Sequence, residues 1–395
     1  MTRSGRQFRA DDTLPYDREL IRSGGVSRGG DRRRQAAFQP PPRQRAARAR
    51  RPGSLWRTIR TTILLLLVAA VGASVLLFAR AASFNESVSS AGFPSAALLL
   101  PLNGSDRVNV MMVGYGGAEH EGAFLADSIQ ILSIDPASDT TTTIPIPRDL
   151  WVEGIEEFSQ NGKINEVFAD GHSADLEDEA AKLDNAADLL AEVLSDVTGL
   201  EIDHWLAMDF NGFREMVDAV GGVTVNNPVE FMYTGPEENH LRGYWNEGPF
   251  AAGEIHLNGE EALWYARARY TSVISESNDY ARSVRQARIL SALRSKLGDG
   301  GIGSIVPGLR LMDAMEGRVR TDLSAVDLFL LSSHLSSDRR IELSEGPVLT
   351  ATTNTIGQYI LIPAGWAGPG DYDGLRSYLT RELASPIVSA ETDAP

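Results

Sequence analysis

The sequence predicts a protein of the α/β class, with strands and helices alternating along one large domain that follows a single membrane-spanning helix. Three observations predict this. Residues 61–79 form an apolar run without a charge. Downstream of it, short runs rich in valine and isoleucine alternate with segments whose apolar residues recur at helical spacing. Glycine, proline, asparagine and aspartate separate these segments, as expected of turns and helix caps.

Charge is distributed unevenly along the 395 residues. The whole chain carries a formal charge of −16, yet residues 1–60 hold 16 Arg against 5 Asp or Glu, which leaves about −27 for the remainder. The two parts therefore face different surroundings. We expect residues 1–60 to be a disordered basic cytoplasmic tail, and we assign no nucleic acid as its partner because aromatic residues are sparse there.

The apolar run is long enough to cross a hydrocarbon core of about 30 Å. Because it follows some sixty residues of tail, we expect an uncleaved transmembrane helix over residues 61–80 rather than a cleaved signal peptide. Arginines crowd its N-terminal flank, whereas Arg80 alone follows it closely. The positive-inside bias then predicts a cell-membrane protein with a cytoplasmic N-terminus and an extracytoplasmic domain, joined to the helix by a stalk over residues 81–105.

The first half of the large domain predicts strands and then a helix. Residues 108–113 form a compact apolar run, typical of a buried strand. Residues 128–134 and 140–146 predict a hairpin, because the intervening Asp135-Pro136 sequence is typical of a turn. Residues 178–198 have apolar positions at helical spacing and end at Gly199, which suits a helix C-cap.

The second half continues the alternation. Residues 204–210 resemble a strand, and Asn211 is a candidate cap for a helix that runs through Ala219. The remaining expected elements are a strand at 223–225, helices around Leu263 and Tyr265, from Asp279 to Leu297, near 324–335 and near 371–384, and strands near 340–349 and 358–362. Residues 386–395 are expected to be a disordered tail.

Arginines stand out in a domain that is otherwise strongly acidic. They are Arg148, Arg267, Arg269, Arg282, Arg285 and Arg288. The arginine fork donates two parallel hydrogen bonds to phosphate, so several such side chains can hold a diphosphate, although arginines paired with surface acids are common. On the helix from residue 279, Arg282 and Gln286 are four apart and share a face, whereas Arg285 points elsewhere.

Two carboxylates are candidates for a magnesium site, since an oxyanion-rich substrate usually brings Mg²⁺. They are Asp127 and Asp149; either could instead cap a turn or strand, and Asp149 could pair with Arg148. The absence of cysteine excludes thiolate metal sites and thiol nucleophiles. The signatures of P-loop ATPases, HExxH zinc proteases and α/β-hydrolases are missing too, and of the scattered histidines only His120 lies in a glycine-rich loop.

Several motifs occur in an order found in one known family. They are NVMMVGYGG, LADSIQILSIDP, TIPIPRDLWV, GKINEVFADG, AMDFNGFREMVDAVGGVTV, HLNGEEALWYARARY and NDYARSVRQARIL. Over residues 108–298 the chain resembles the LytR-CpsA-Psr (LCP) phosphotransferases of the cell envelope.

The resemblance implies a three-layer α/β/α domain with a central mixed sheet, spanning residues 106–300 and completed by residues 301–385. It implies an apolar pocket for a polyprenyl chain and an arginine-lined mouth for its diphosphate. Such enzymes move a glycopolymer from a polyprenyl diphosphate carrier to a hydroxyl of peptidoglycan in cell wall assembly. The implied partners are this lipid-linked polymer, peptidoglycan and membrane lipid.

The resemblance also implies roles for individual residues. Arg148 matches the arginine of the family's I-P-R-D motif, Arg267 and Arg269 match R-T-R, and Arg282 and Gln286 match R-x-x-x-Q, all as diphosphate contacts. Asp127 matches the aspartate of R-S-D-T, an implied Mg²⁺ ligand. Asp149 matches the aspartate of I-P-R-D, where it either holds Arg148 or acts as the base. Asp127, Arg148 and Asp149 are thus the expected catalytic residues, while Lys163 and Asn165 are expected to shape the rim.

The chain departs from the family pattern at two places. Where the family often has L-L-G-S-D-S-R, this chain has MVGYGG, which removes an acid that commonly joins the metal site, and Ala126 replaces the arginine of R-S-D. Glu119, His120 or Glu121 could supply the missing ligand. Two other functions stay open from the sequence: a polyprenyl diphosphate pyrophosphatase with water as acceptor, and a membrane-tethered regulator or lipid-binding protein.

Overall fold

The computed structural model describes residues 53–90, 107–118, 120, 122–138, 140–234, 248–297, 305–331 and 339–385. The helices are α1 (Gly53–Val88), α2 (Ile164–His172), α3 (Glu179–Thr198), α4 (Phe210–Ala219), α5 (Gly259–Arg267), α6 (Asp279–Leu297), α7 (Ile305–Met315), α8 (Ala325–Leu331) and α9 (Asp373–Ala384). The strands are β1 (Val108–Tyr115), β2 (Ala126–Asp135), β3 (Thr140–Ile146), β4 (Trp151–Val152), β5 (Gly162–Lys163), β6 (His204–Asp209), β7 (Val223–Asn227), β8 (Gly253–Leu257), β9 (Val319–Thr321), β10 (Arg339–Arg340), β11 (Leu349–Thr353) and β12 (Tyr359–Pro363). The expectations for residues 1–52, 91–106 and 386–395 lie outside the described residues.

Helix α1 contains the predicted membrane span and extends beyond both of its ends. By length and composition, Thr62–Val88 can cross a membrane. Residues 81–88, predicted as the start of a stalk, are helical instead. The reason is that Phe84 and Val88, one turn apart, are buried in the domain against apolar side chains of β6 and α7.

The central sheet has six strands within the described part of the chain, in the order β10-β3-β2-β1-β6-β9. β1 is antiparallel to β2 and parallel to β6, so the sheet is mixed. The predicted hairpin is confirmed as β2 and β3, and Asp135 Oδ1 accepts a hydrogen bond from the Ala137 amide in its turn. Both edge strands come from residues 301–385, so this region completes the sheet itself.

Helices pack on both faces of the sheet, and this confirms the three-layer architecture. On one face, alternate side chains of β1 and β2 such as Met111 and Ile131 form a core with α2 and α3. On the other face, Val110 and Leu132 pack toward α8, while Leu206 packs toward α7 and the end of α1. A further core joins the β7–β8 ribbon to α4, α5 and α6.

The ends of two predicted helices test the capping arguments. Helix α3 agrees with the prediction, because Asp178 caps its start and Gly199 follows it in the left-handed conformation, at φ 70°. Helix α4 begins two residues earlier than predicted. Its N-cap is Asp209, not Asn211, since the Asp209 carboxylate accepts a hydrogen bond from the Gly212 amide at 2.6 Å.

The C-terminal region differs from the predicted elements at two places. The strand expected near 340–349 is broken into β10 and the start of β11, because Gly346 has φ 99° and Pro347 lacks a backbone N–H. Helix α7 has no counterpart among the predicted elements, and it contains Pro307 and Gly308. Pro307 lies in the first turn, where its missing N–H costs no intrahelical bond.

Candidate active site

Asp127 is presented by a β-bulge at the start of β2. Ser128 pairs with Gly114, whereas Ala126 already pairs with the next residue of β1, Tyr115. Asp127 is therefore the extra residue between the two pairs. Bulges of this kind leave one residue out of the ladder and re-aim its side chain, and they are common beside active sites.

An ion network forms where β2 begins and where β3 and β5 end. Asp127 Oδ1 accepts a hydrogen bond from Arg148 Nη1 at 2.7 Å. Asp149 Oδ2 lies 3.7 Å from Arg148 Nε, and Asp149 Oδ1 accepts a hydrogen bond from Lys163 Nζ at 2.6 Å. The Asp149 side chain is only 8% exposed, whereas Asp127 and Arg148 are each 27% exposed. Asp149 thus holds two cations, and the Asp127–Arg148 pair is open to a ligand.

Arg148 also carries an unsatisfied donor. Its Nε is buried and makes no hydrogen bond within the described part of the chain, where Asp149 Oδ2 lies 3.7 Å from it. Buried donors in native proteins are nearly always paired with protein, water or ligand. A phosphate oxygen is a suitable partner, because charge-assisted bonds from guanidinium to phosphate are strong.

Arg267, the last residue of α5, is held by an aromatic ring. Its guanidinium lies 4.2 Å from the centre of the Phe210 ring, a cation–π contact. Burial lowers the pKa of Arg267; the Asp127 carboxylate opposes that shift, and the positive charge of Arg148 adds to it. Arg267 therefore shares one electrostatic site with the Asp127–Arg148 pair.

Gln286 fastens helix α6 to β2 beside this site. Its Oε1 accepts hydrogen bonds from Ser128 Oγ and Gln130 Nε2, each at 3.1 Å. Arg282 lies one turn earlier on the same face of α6, and Arg269 lies two residues beyond the end of α5. The structure therefore brings together Asp127, Arg148, Arg267 and Gln286, while the diphosphate roles of Arg269 and Arg282 stay predictions.

Arg285 has a different position from its neighbours, as the helical spacing predicts. Its side chain is fully buried and donates to Glu276 Oε2 at 2.6 Å and to the Tyr265 carbonyl at 2.9 Å. It also bonds the Ala268 carbonyl. Arg285 thus fixes the segment that carries Arg267, and Arg288 contributes a bond to the Tyr265 hydroxyl at 3.2 Å.

A cavity of about 310 Å³ lies between the sheet and helices α4 to α8. Most of its lining is apolar and comes from side chains such as Met216, Leu290 and Met312. Its polar lining includes Arg267 and Gln286. This arrangement suits an amphipathic ligand with an apolar body and an anionic head.

The structure describes part of the loop after β1, where this chain lacks an acidic residue that the family often has. The His120 ring packs edge-on against Phe210, with centroids 5.1 Å apart, and Glu119 and Glu121 lie outside the described residues. Asp209 also lines the cavity, and burial raises the pKa of its carboxyl group. Its Oδ2 lies 3.2 Å from the position that a Cβ on Gly117 would take, so it borders this loop.

Sequence reasoning missed the parts of the site that depend on packing. Lys163, expected at the rim, belongs to the ion network. Phe210 was not singled out, although it supports Arg267. One usable signal was present: Ser128 and Gln130 alternate on one side of a strand that is otherwise buried and mostly apolar.

The fold is an α/β/α domain, and its apolar cavity reaches arginine side chains beside a carboxylate. These features define a class of protein suited to hold an amphipathic anion. The LytR_cpsA_psr family model matches residues 79–364, and the chain belongs to that family. The resemblance found in the sequence motifs is thereby confirmed.

Two similar proteins are named polyisoprenyl-teichoic acid–peptidoglycan teichoic acid transferase TagU. The protein from Bacillus cereus is 27% identical over 225 residues, which are 57% of this chain and 63% of that protein. The protein from Bacillus subtilis is 25% identical over 300 residues, 75% of this chain and 87% of that protein. The chain thus spans less than two thirds of the length of the first of these relatives.

Solved structures share the fold. Bacillus subtilis TagV is 22% identical, with a TM-score of 0.51 over 71% of this chain and 98% of that chain. The protein gbs0355 of Streptococcus agalactiae is 20% identical, with a TM-score of 0.53 over 75% of this chain and 92% of that chain. At these identities the likeness concerns the fold alone.

Proposed function

We propose that this chain transfers a glycopolymer from a polyprenyl diphosphate carrier to a hydroxyl of peptidoglycan. The phosphoryl group next to the polymer forms a phosphodiester with that hydroxyl, its bond to the lipid phosphate breaks, and polyprenyl monophosphate leaves. The observation that carries the proposal is the apolar cavity lined at its polar part by Arg267 and Gln286, beside the Asp127–Arg148 pair. The names of the TagU relatives support the same reaction.

The cavity accounts for the lipid part of the donor. Its volume of about 310 Å³ lies within the usual range of ligand pockets, and its walls offer an apolar environment to prenyl groups. Phe84 of α1 lines the same cavity. The membrane helix therefore contributes to the wall, which keeps the cavity close to the leaflet that contains the donor.

The arginines account for the diphosphate. Phosphoryl transfer needs little covalent chemistry from a protein, and its catalysis depends on positioning and on offsetting charge. Arg148 supplies an unsatisfied buried donor, and Arg267 supplies a guanidinium held rigidly over Phe210. Asp149 acts by holding Arg148 and Lys163 in position, since it is nearly buried between them.

We propose that a magnesium ion would bind at this site with Asp127 as its protein carboxylate. Mg²⁺ commonly takes one or two protein carboxylates and leaves its other positions to phosphate and water. Oδ1 of Asp127 accepts a hydrogen bond from Arg148. Within the described part of the chain, no group of three His, Asp or Glu side chains could enclose a metal ion, so protein side chains alone would not complete its coordination. The ion would thus be held jointly by Asp127 and the substrate, where it would offset negative charge on the diphosphate.

The proposed location is the outer side of the cell membrane. Arginines before the apolar segment predict that the N-terminus is cytoplasmic, which leaves the domain after α1 outside. Peptidoglycan, the proposed acceptor, is outside as well. Enzyme, donor and acceptor would then meet at one surface.

The test uses the full chain in lipid vesicles with a polyprenyl diphosphate-linked oligosaccharide labelled in its sugar, Mg²⁺ and purified peptidoglycan. We expect the label to become covalently attached to peptidoglycan, and attachment to be lost when Arg267 and Arg269 are both replaced by Ala. Label released as free sugar phosphate would favour the pyrophosphatase reaction. The enzyme proposal would be contradicted if the label were still attached to peptidoglycan by the doubly substituted protein while deletion of residues 1–54 abolished function.

A further inference from the structure

A second concave surface involves β4, the strand that pairs with the strand of Lys163. This groove, of about 710 Å³, is formed by β4, the residue before β5, the start of α2, the β11–β12 ribbon and the segment after it. Two indole rings, Trp151 and Trp366, line it together with neutral amide and hydroxyl side chains. We call it the tryptophan groove.

The β11–β12 ribbon gives the groove an apolar floor and a polar rim. Thr352 pairs with Ile360, so both side chains lie on the same face, and Ile362 follows two residues later on that face. At the tip of the ribbon, Asn354 Nδ2 donates to Gln358 Oε1 at 2.7 Å. The amides and hydroxyls at the rim are well placed to bond a ligand that lies on the isoleucines.

The groove has the opposite charge character to the arginine site. Its only charged lining residues within the described part are Glu153 and Glu166. Glu153 accepts hydrogen bonds from Trp151 Nε1 at 2.9 Å and Asn161 Nδ2 at 3.2 Å, and Glu166 accepts one from the Lys163 amide. These negative charges disfavour a phosphate-rich polymer, whereas a neutral ligand is accepted.

Aromatic rings beside neutral amides and hydroxyls match the chemistry of sugars. A hexose ring presents a face of C–H groups that packs on an indole, while its edge presents hydroxyls that both donate and accept hydrogen bonds. The Trp366 Nε1 group is buried and has no partner in the described part of the chain. Such a donor favours a polar ligand over a purely apolar one.

Backbone contacts link elements that line the groove to the ion network. Trp151 is the register partner of Lys163, whose Nζ contacts Asp149. The Asp149 carbonyl accepts a hydrogen bond from the Leu361 amide of β12 at 2.9 Å, and the Leu361 side chain turns into the core. A ligand in the groove therefore lies beside the residues that hold Arg148.

We propose that the tryptophan groove binds a neutral polysaccharide rich in hydroxyl and acetamido groups, and that it serves as the acceptor subsite. The identification of this ligand with the glycan strand of peptidoglycan rests on the proposed function. Donor and acceptor would then occupy different surfaces, the first on the cavity side of the ion network and the second on the groove side.

The experiment measures binding of a β-1,4-linked N-acetylglucosamine hexamer to the detergent-solubilised full chain by titration calorimetry. The variants are Trp366→Ala, Gln358→Ala and a matched control, Tyr359→Ala. Gln358 is exposed on the rim, so its substitution avoids the risk that loss of a half-buried indole disturbs folding. Tyr359 and Ile360 both belong to β12, but their side chains lie on opposite sides of the strand. The Tyr359 hydroxyl donates a hydrogen bond to Glu345.

We expect the natural chain to bind the hexamer saturably. The affinity for the hexamer should fall about tenfold or more in Trp366→Ala, fall by less in Gln358→Ala, and stay unchanged in Tyr359→Ala. Failure of the natural chain to bind the hexamer, or equal binding by all four proteins, would overturn the proposal.

The transfer assay separates this proposal from the proposed function. If both stand, Trp366→Ala raises the KM for peptidoglycan more than it changes kcat. If transfer occurs and the KM for peptidoglycan is the same in all variants, the proposed acceptor subsite is wrong while the proposed transferase function stands. Hexamer binding that depends on Trp366, in a chain that transfers nothing, supports the groove as a glycan site and overturns the transferase.

Discussion

The apolar cavity and the tryptophan groove border the same ion network, yet their chemistry differs in every respect that affects a ligand. The cavity is lined by aliphatic side chains and methionines and reaches Arg267, whereas the groove combines indoles and amides with the carboxylates Glu153 and Glu166. A lipid diphosphate suits the first surface and a neutral glycan suits the second. The difference shows how one site can keep donor and acceptor apart: the cavity offers Arg267 beside Asp209, whereas the charged lining of the groove in the described part consists of the carboxylates Glu153 and Glu166.

The largest expected effect is on stability and concerns the cavity side alone. Arg285→Ala should lower the free energy of unfolding by about 3–5 kcal/mol, because it leaves Glu276, whose side chain is only 12% exposed, without its cation. Urea denaturation measures the change. The matched control is Arg381→Ala on the surface of α9, where the side chain is 68% exposed and the change should stay within about 0.5 kcal/mol. Equal stability of the two variants would contradict a structural role for Arg285.

The next effect separates binding arginines from structural ones. Arg267→Ala should reduce transfer by about 10²–10³-fold, comparable to removing one donor that stabilises developing charge in other enzymes. Its stability should change far less than that of Arg285→Ala, because Arg267 is supported mainly by one aromatic ring. The labelled-donor assay measures transfer, with Arg214→Ala as control, since Arg214 pairs with Glu260 at the surface. Nearly normal transfer by Arg267→Ala would contradict the proposal that the diphosphate binds at this site.

A third substitution tests the cavity without removing any polar group. Gly308 of α7 lines the cavity, and a Cβ added to it would meet nothing within 4 Å. Gly308→Leu should therefore fold normally but weaken binding of a prenyl diphosphate about tenfold by filling the space. Gly308→Ala is the control and should gain about 0.5–1 kcal/mol of helix stability with a smaller loss of binding. Unchanged affinity in Gly308→Leu would place the prenyl chain elsewhere.

The smallest effect depends on pH and concerns β6, which also contributes to the cavity side. Burial lowers the pKa of His204, but the hydrogen bond and charge of Asp322 outweigh it, so the pKa is raised overall. A raised folded-state pKa adds stability below the unfolded value of about 6.5, and this is lost as the pH rises through the folded value. The natural chain should thus exceed His204→Gln in stability by more at about pH 5.5 than at about pH 8.5. A difference that is independent of pH would contradict the ion pair.

Local sequence signals predicted the elements whose ends are set by their own residues. The β2–β3 turn at Asp135, the C-cap Gly199 and the start of α6 at Asp279 agree with the structure. Elements that depend on distant partners were not recovered. β10 is only two residues long and exists because it pairs with β3, some 200 residues earlier in the chain.

The same distinction holds for the site. Residue types alone indicated an arginine-rich phosphate site, and helical spacing correctly separated Gln286 from Arg285. The bulge that presents Asp127, the ring of Phe210 under Arg267 and the bond from Lys163 to Asp149 each join different elements, between 11 and 57 residues apart. No local pattern encodes such contacts, because they form only when the sheet brings the strand ends together.

The central claim is that the cavity holds the prenyl chain while Arg148 and Arg267 hold its diphosphate. A crystal structure of the chain with geranylgeranyl diphosphate tests this most directly. The account predicts prenyl density along Met216 and Leu290, with diphosphate oxygens within about 3.2 Å of both guanidinium groups. Prenyl density in the tryptophan groove, or a diphosphate that contacts neither arginine, would contradict it.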